Sequence, residues 1–347
     1  MKLLRIDICV TLALCLSGGA AQNSAERSLP ARTLPTPTTV SPELQEAIAP
    51  PWRGMASSAK LTDDQWRAFA KQFDAAGAKL TEELAQKFEV TLSERKIAGV
   101  SVYDVKPGTI SPENRGRLLV HVHGGAYVFS GGKAAASEAV LMAHYGKIEV
   151  LSVDYRMPPD FPFPAALDDS VAVWKEVIKS HNAKSVGLFG TSAGGGLTLA
   201  TVLKLKELKA PLPGALLAGT PWSDLTKTGD SYYTNEFVDN VLGTNDGLLD
   251  GAAHLYAGTH DLKEPLLSPV YGDLSGFPPT ILISGTRDLF LSNTVRTHQK
   301  LLESGVHAEL LVFEGESHAQ YEIATKAPES AAAFREAGDF FNRYLAK

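Results

Sequence analysis

The chain has 347 residues, 44% of them apolar and 21% charged, an ordinary globular balance with enough apolar surface for a deep core. Its formal net charge is −6, and no basic stripe points to nucleic acid; so mild an acidity favours solubility and designates no particular partner. One large domain with accessory segments is the default at this length.

At the N-terminus, Lys2 and Arg5 precede the apolar run Ile8–Leu16, and small residues follow through Ala20 and Ala21. A positive start, a short apolar run and a small-residue exit describe a secretory signal peptide over residues 1–21, cleaved after Ala21. The run is too short to span a bilayer as a stable helix, so no membrane span is expected and the mature protein is expected outside the cytoplasm, secreted or periplasmic. Both cysteines, Cys9 and Cys15, fall inside this segment. The mature chain then has no thiol, which excludes disulfides, a cysteine nucleophile and cysteine-rich metal sites.

Residues 22–42 carry Pro30, Pro35, Pro37 and Pro42 among Ser, Thr and Ala and read as a linker. From 43 to 87 the pattern is helical. Thr62-Asp63-Asp64-Gln65 reads as a capped start, and Trp66, Phe69, Ala70 and Phe73 recur at helical spacing as packing residues. Strands are expected at Val90–Ser93, Ile97–Val105, Arg117–His123, Ile148–Asp154, Val186–Phe189, Ala215–Gly219, Thr280–Ser284 and Ala308–Phe313. Helices are expected at Ala136–Tyr145, Ala165–Ser180, Ala193–Lys209, Ser292–Glu303 and Pro328–Leu345. Near-continuous apolar strands such as Leu118-Leu119-Val120, alternating with helices, imply an α/β fold with a mostly parallel, doubly wound sheet covered on both faces. Residues 222–265 interrupt the alternation, and so long an insertion is expected to form a cap with the N-terminal helices.

The chemistry concentrates at strand ends. Gly190-Thr191-Ser192-Ala193-Gly194 runs from strand into helix, the pattern of a sharp turn that holds a serine Oγ above the sheet edge. After another apolar strand, His121-Val122-His123-Gly124-Gly125-Ala126-Tyr127 is a glycine-rich loop able to turn backbone N–H groups outward. Gly124, Gly125, Ala126 and Ala193 are therefore the candidate oxyanion hole. His123 is expected to brace that loop rather than to react. Acid and base partners should follow later in the chain. Asp288 follows the strand at Thr280–Ser284, and His318 follows the strand ending at Phe313. Of nine histidines, only His318 lies in a Gly-and-Ser turn after a late strand. Glu314 and Glu316 share its loop and are poorly placed for its far nitrogen, while Asp224 is expected to order the cap entry. Tyr127, Trp222 and Tyr233 are candidate substrate-pocket residues.

In order and spacing, His123–Ala126, Asp154-Tyr155-Arg156, Phe163-Pro164-Ala165-Ala166, Gly190–Gly195, Ser268-Pro269, Asp273–Pro279, Asp288 and His318 resemble the hormone-sensitive-lipase-like (family IV) esterases. That resemblance covers about residues 45–345. It implies an eight-stranded α/β-hydrolase core with a helical cap, no cofactor, no metal, and hydrolysis of short-chain acyl esters. Two departures stand out. Ala126 occupies the family's third oxyanion-loop glycine, keeping its N–H, and the resemblance places the donors at Gly125 and Ala126. Thr191 replaces the Asp common before the nucleophile, which resembles the subgroup reading Gly-Thr-Ser-Ala-Gly, where small lactones are also substrates. A serine peptidase or amidase with the same triad, and a non-catalytic binding module on this fold, are the rival readings.

Overall fold

The computed structural model describes residues 30–31, 33–54 and 60–347. The expected signal peptide and both cysteines lie outside these residues. The apolar runs form β1 (Val90–Ile97), β2 (Val100–Pro107), β3 (Leu118–Val122), β4 (Glu149–Asp154), β5 (Val186–Thr191), β6 (Ala215–Gly219), β7 (Thr280–Gly285) and β8 (Ala308–Phe313). They make one eight-stranded sheet in the order β1-β2-β4-β3-β5-β6-β7-β8. β2 runs antiparallel to both neighbours and every other pair is parallel.

The helices are α1 (Pro42–Ile48), α2 (Asp63–Lys87), α3 (Ser137–Gly146), α4 (Ala165–Val177), α5 (Ala193–Glu207), α6 (Ser231–Thr234), α7 (Leu248–Ala257), α8 (Leu291–Glu303), α9 (Gln320–Ile323) and α10 (Pro328–Tyr344). Successive strand residues point to opposite faces, so each strand feeds two cores. Leu119, Phe189, Leu217 and Ile281 pack with α3 and α10, and Val120, Leu188, Leu216 and Leu282 pack with α4, α5 and α8. None of the helices in the described residues is long and apolar enough to cross a membrane.

The first two strands differ from the sequence expectation. β1 continues through Ser93-Glu94-Arg95-Lys96 to Ile97, and the chain reverses at Ala98-Gly99, with φ of +50° and +86°. Two consecutive positive φ values make the tight turn whose twist suits a hairpin. The polar run carries no apolar alternation because this edge strand faces solvent, where Arg95 pairs with Asp104 across the hairpin at 2.6 Å.

The N-terminal segment is tied to the core from Ser41 onward. Ser41 caps α1 and donates from its N–H and its hydroxyl to Glu329, both at 2.7 Å, while Leu44 and Ile48 pack on Ala327. α2 is opened by the capping box of Thr62 and Gln65. Trp66 of α2 lies against Gly251 of α7, and the Trp52 and Phe237 rings are 5.7 Å apart. The N-terminal helices and the 222–265 insertion thus meet. Asp74 of α2 accepts from the N–H groups of Ser130 and Gly131, just beyond the glycine-rich loop after β3.

Phe341 shows how little slack the sheet faces allow: a Cβ at Gly187 of β5 would lie 2.6 Å from its ring. Phe341→Ala opens a cavity beneath the strand that carries the serine, at an expected cost of about 3–5 kcal/mol. Urea unfolding of the variant checks this, and a loss below about 1 kcal/mol contradicts it.

Candidate active site

β3 and β5 are parallel neighbours, so the loops leaving their C-terminal ends meet. Ser192 stands at φ +61° and ψ −123°, between the end of β5 and the start of α5. The turn is so tight that a Cβ at Gly190 or at Gly194 would lie 2.1 Å from the carbonyl oxygen of Val122 on β3. The two flanking glycines answer that contact. The chain can then reverse at a positive-φ serine, a conformation an L-residue holds only where its surroundings over-determine it.

β6, β7 and β8 continue the sheet in that order, so the loops that follow them open on the same edge. They bring the three expected side chains together. His318 Nε2 is 2.8 Å from Ser192 Oγ, and His318 Nδ1 is 3.1 Å from Asp288 Oδ1. Asp288 is completely buried. Its Oδ1 also accepts from the N–H of Phe290 at 2.8 Å, and its Oδ2 accepts from Ser284 Oγ at 2.6 Å. Phe290 meets the imidazole edge-on, 4.8 Å between centroids. Burial alone pushes the His318 imidazole pKa down, but the charge and hydrogen bond of Asp288, with Asp239 and Glu322 behind, overcome it and raise it above the ordinary histidine value.

On the other side of Ser192 lies the loop Gly124–Tyr127. A Cβ at Gly124 would be 2.9 Å from the carbonyl of Thr191, so the loop is drawn close to the serine. Gly125, Ala126 and Tyr127 all have positive φ, +98°, +53° and +63°. In the described residues, the N–H groups of Gly125, Ala126 and Ala193 donate to no backbone or side-chain acceptor. The same holds for the Gly124 N–H, so all four candidate oxyanion donors keep an N–H without an acceptor among the described residues. His123 stacks flat on Tyr155 at 4.0 Å and its Nδ1 lies 2.7 Å from the Gly124 carbonyl, a bracing arrangement.

The three candidate pocket residues are not brought to the serine in this way. Tyr127 is 1% exposed, stacked on Tyr256 at 3.8 Å, and Trp222 is fully buried between Tyr127 and Phe290. Both are packing residues, because a ring enclosed on all sides has no face for substrate. Tyr233 is 65% exposed, with the Lys227 ammonium 5.4 Å from its ring. Asp224 accepts from Thr226, Tyr271 and Arg296 and orders the entry to the insertion. Glu316 is buried, and desolvation, with Glu329 and Asp288 adding to it, pushes its carboxyl up to about 8.

Several residues of the site carry no sequence signal of their own. Thr220, directly after β6, places its Oγ1 2.5 Å from His318 Nδ1, the nitrogen that also meets Asp288. Beneath the serine, Tyr321 OH lies 2.6 Å from Thr191 Oγ1, and Thr191 donates to Glu138 Oε1 at 2.8 Å. The other oxygen of Glu138 meets His121 Nε2 at 2.8 Å. Ser152 spends its proton on the Ala135 carbonyl, so it must accept from His121 Nδ1, 2.9 Å away. Nε2 of the neutral ring is then the acceptor and Glu138 the donor. Burial agrees, pushing Glu138 up to about 8 and His121 down to about 3. No group of three His, Cys, Asp or Glu side chains in the described residues is arranged to hold a metal ion.

Two expectations follow. Glutamine mimics a protonated Glu138, so Glu138→Gln should stay within about 1 kcal/mol of the parent, while Glu138→Ala loses about 3 kcal/mol; equal losses in urea unfolding contradict the neutral pair. Because His318 must be unprotonated to take a proton, activity should fall as pH drops through its raised pKa. The acidic limb of kcat/KM on a chromogenic ester is expected above about 6.5, and a limb at or below that value contradicts the geometry.

Comparison with known proteins gives the family. A family model described as the alpha/beta hydrolase fold matches residues 119–322. An acetyl-hydrolase of Streptomyces hygroscopicus is 31% identical over 226 residues, which cover 65% of this chain and 75% of the relative. An esterase of Acinetobacter venetianus is 27% identical over 221 residues, covering 63% and 71%. The crystal structure of an esterase superposes with a TM-score of 0.90 at 45% identity, covering 92% of this chain and 99% of that one. Another esterase structure, from the bacterial hormone-sensitive lipase family, gives 0.76 at 26% identity, covering 88% and 99%. The chain belongs to the hormone-sensitive-lipase-like esterases of the α/β-hydrolase fold and is a serine carboxylesterase.

Proposed function

We propose that the protein hydrolyses short-chain acyl esters or small lactones through an acyl-enzyme on Ser192, with His318 as general base and acid and Asp288 as its carboxylate partner. The observation that carries this reading is the 2.8 Å contact from Ser192 Oγ to His318 Nε2 beside free backbone amides. Ser192 Oγ attacks the ester carbonyl carbon as its proton passes to Nε2, and the carbonyl oxygen becomes an anion facing the N–H groups of Gly125, Ala126 and Ala193. Collapse of that adduct breaks the bond to the alkoxy oxygen, which leaves as the alcohol with the proton from Nε2. Water then gives a proton to Nε2 while its oxygen attacks the acyl carbon, and a second collapse returns the proton to Ser192 and frees the carboxylic acid.

Asp288 fixes the tautomer by accepting from Nδ1 and offsets the charge on the imidazolium formed in each half. The preference for small acyl groups is supported by the relative named acetyl-hydrolase. Lactones enter the same scheme with the leaving alcohol still tethered to the acyl group.

A series of p-nitrophenyl esters from acetate to decanoate, with small lactones alongside, tests the proposal. Acetate and butyrate are expected to give the highest kcat/KM, and Ser192→Ala to abolish turnover of every substrate. Full activity in that variant, or a rate rising steadily to decanoate, would falsify it.

A further inference from the structure

At one point the insertion between β6 and β7 reaches into the wall of the site. Asp239, between α6 and α7, is fully buried. Its Oδ1 accepts from the N–H groups of Val241 at 2.8 Å and Leu242 at 2.9 Å, a local turn that holds the side chain in one orientation. Its Oδ2 accepts from the N–H of Leu289 at 2.8 Å and from that of His318 at 3.2 Å. Leu289 directly follows Asp288. A single carboxylate oxygen therefore ties the loop after β7 to the loop after β8. Neighbouring contacts reinforce the tie: Asn235 Nδ2 donates to the Asp288 carbonyl at 2.8 Å, and the Asn240 N–H donates to Ser317 Oγ at 3.1 Å.

We propose that Asp239 is a positioning residue for ester hydrolysis, setting the spacing between Asp288 and His318 from within the insertion and lending its negative charge to the imidazolium. The proposal rests on the triad reading of Ser192, His318 and Asp288. Each oxygen of Asp239 accepts two N–H groups, so in this arrangement the group acts only as an acceptor, as a carboxylate does. Burial and the charge of Asp288 hold its carboxyl above the ordinary carboxylate value, and His318 with the N–H groups of Leu289 and Leu242 works against that rise. The titratable groups facing His318 are Asp288 from the loop after β7, Asp239 from the insertion and Glu322 from α9. Burial pushes the carboxyls of Glu322 and Asp239 both upward, and it is the four N–H groups converging on Asp239 that favour its carboxylate form.

The role differs from that of Asp288, which meets Nδ1 itself. Asp239 meets the backbone of the base and of the residue after the acid, so it acts through them. Misplacing a reacting group by about 1 Å costs about a hundredfold in rate, and two loops freed from a common anchor are open to such an error.

The test compares Asp239→Asn, Asp239→Ser, Asn235→Ala and Ser192→Ala in the full chain with p-nitrophenyl butyrate, alongside circular dichroism and thermal melts. Asp239→Asn is expected to lower kcat about tenfold or more while KM changes less than about threefold. Its acidic limb should move to lower pH by about half a unit or more, since a negative charge near the imidazole is gone. Asn235→Ala, which removes a tie but no charge, should leave that limb in place. Parental kcat in both Asp239 variants overturns the proposal, as does an unmoved acidic limb with activity falling only in step with melting temperature. Failure of both to fold makes Asp239 a folding residue and overturns it too. Activity in Ser192→Ala instead sinks the triad reading beneath it.

Discussion

The site depends on one backbone contact: the carbonyl of Val122 presses into the turn between β5 and α5, where any Cβ at Gly190 or Gly194 would overlap it. Ser192 stands between those two glycines at positive φ, and the parallel pairing of β3 with β5 brings the end of β3 beside it. The loop after β3 is held close to the start of α5 as well, since a Cβ at Gly124 would lie 2.9 Å from the Thr191 carbonyl. The sheet holds the arrangement from below, with strand residues packed into two cores and no slack at positions such as Gly187. A conformation costly in isolation persists because many contacts fix it at once.

Electrostatics divides the site into two layers. Around the imidazole, Asp288 and Asp239 favour the charged ring, which is the form created during bond making. Under the serine the polar groups are arranged without net charge: Glu138 donates to His121, Thr191 donates to Glu138, and burial opposes ionisation of each titratable member. A charged pair in that layer would have to recover the desolvation of two ions, whereas a neutral web needs only its hydrogen bonds satisfied. The field felt by the reacting atoms is thus set mainly by the groups on the His318 side.

Much of this was legible in the sequence, for a definable reason. Strands buried on both faces announce themselves as continuous apolar runs, and the candidate nucleophile, acid and base each follow such a run at one sheet edge. The order of strands then brings them together. Legibility failed where periodicity carries no information. The polar second half of β1 has no apolar pattern because it lies at a solvated edge. Asp239 is one of several acidic residues in an irregular segment, and only the folded chain shows which of them is buried against the triad loops. Thr220 differs from other threonines solely by standing one residue beyond β6. Tyr127 and Trp222 failed in the opposite sense: their place beside the motifs resembled a substrate wall, yet aromatic rings of that size fill the core instead.

The stitching of the insertion to the loops after β7 and β8 has a consequence for how such a protein can change. Asn235, Asp239 and Asn240 sit in the insertion between β6 and β7, yet hydrogen bonds from them end on residues 288, 289, 317 and 318. The insertion is consequently not an interchangeable module. Exchanging the insertion for another relative's would also remove the hydrogen bonds that tie the loop after β7 to the loop after β8. Substitution is easier at surface positions such as Tyr233, which lie in the same insertion but hold none of these ties.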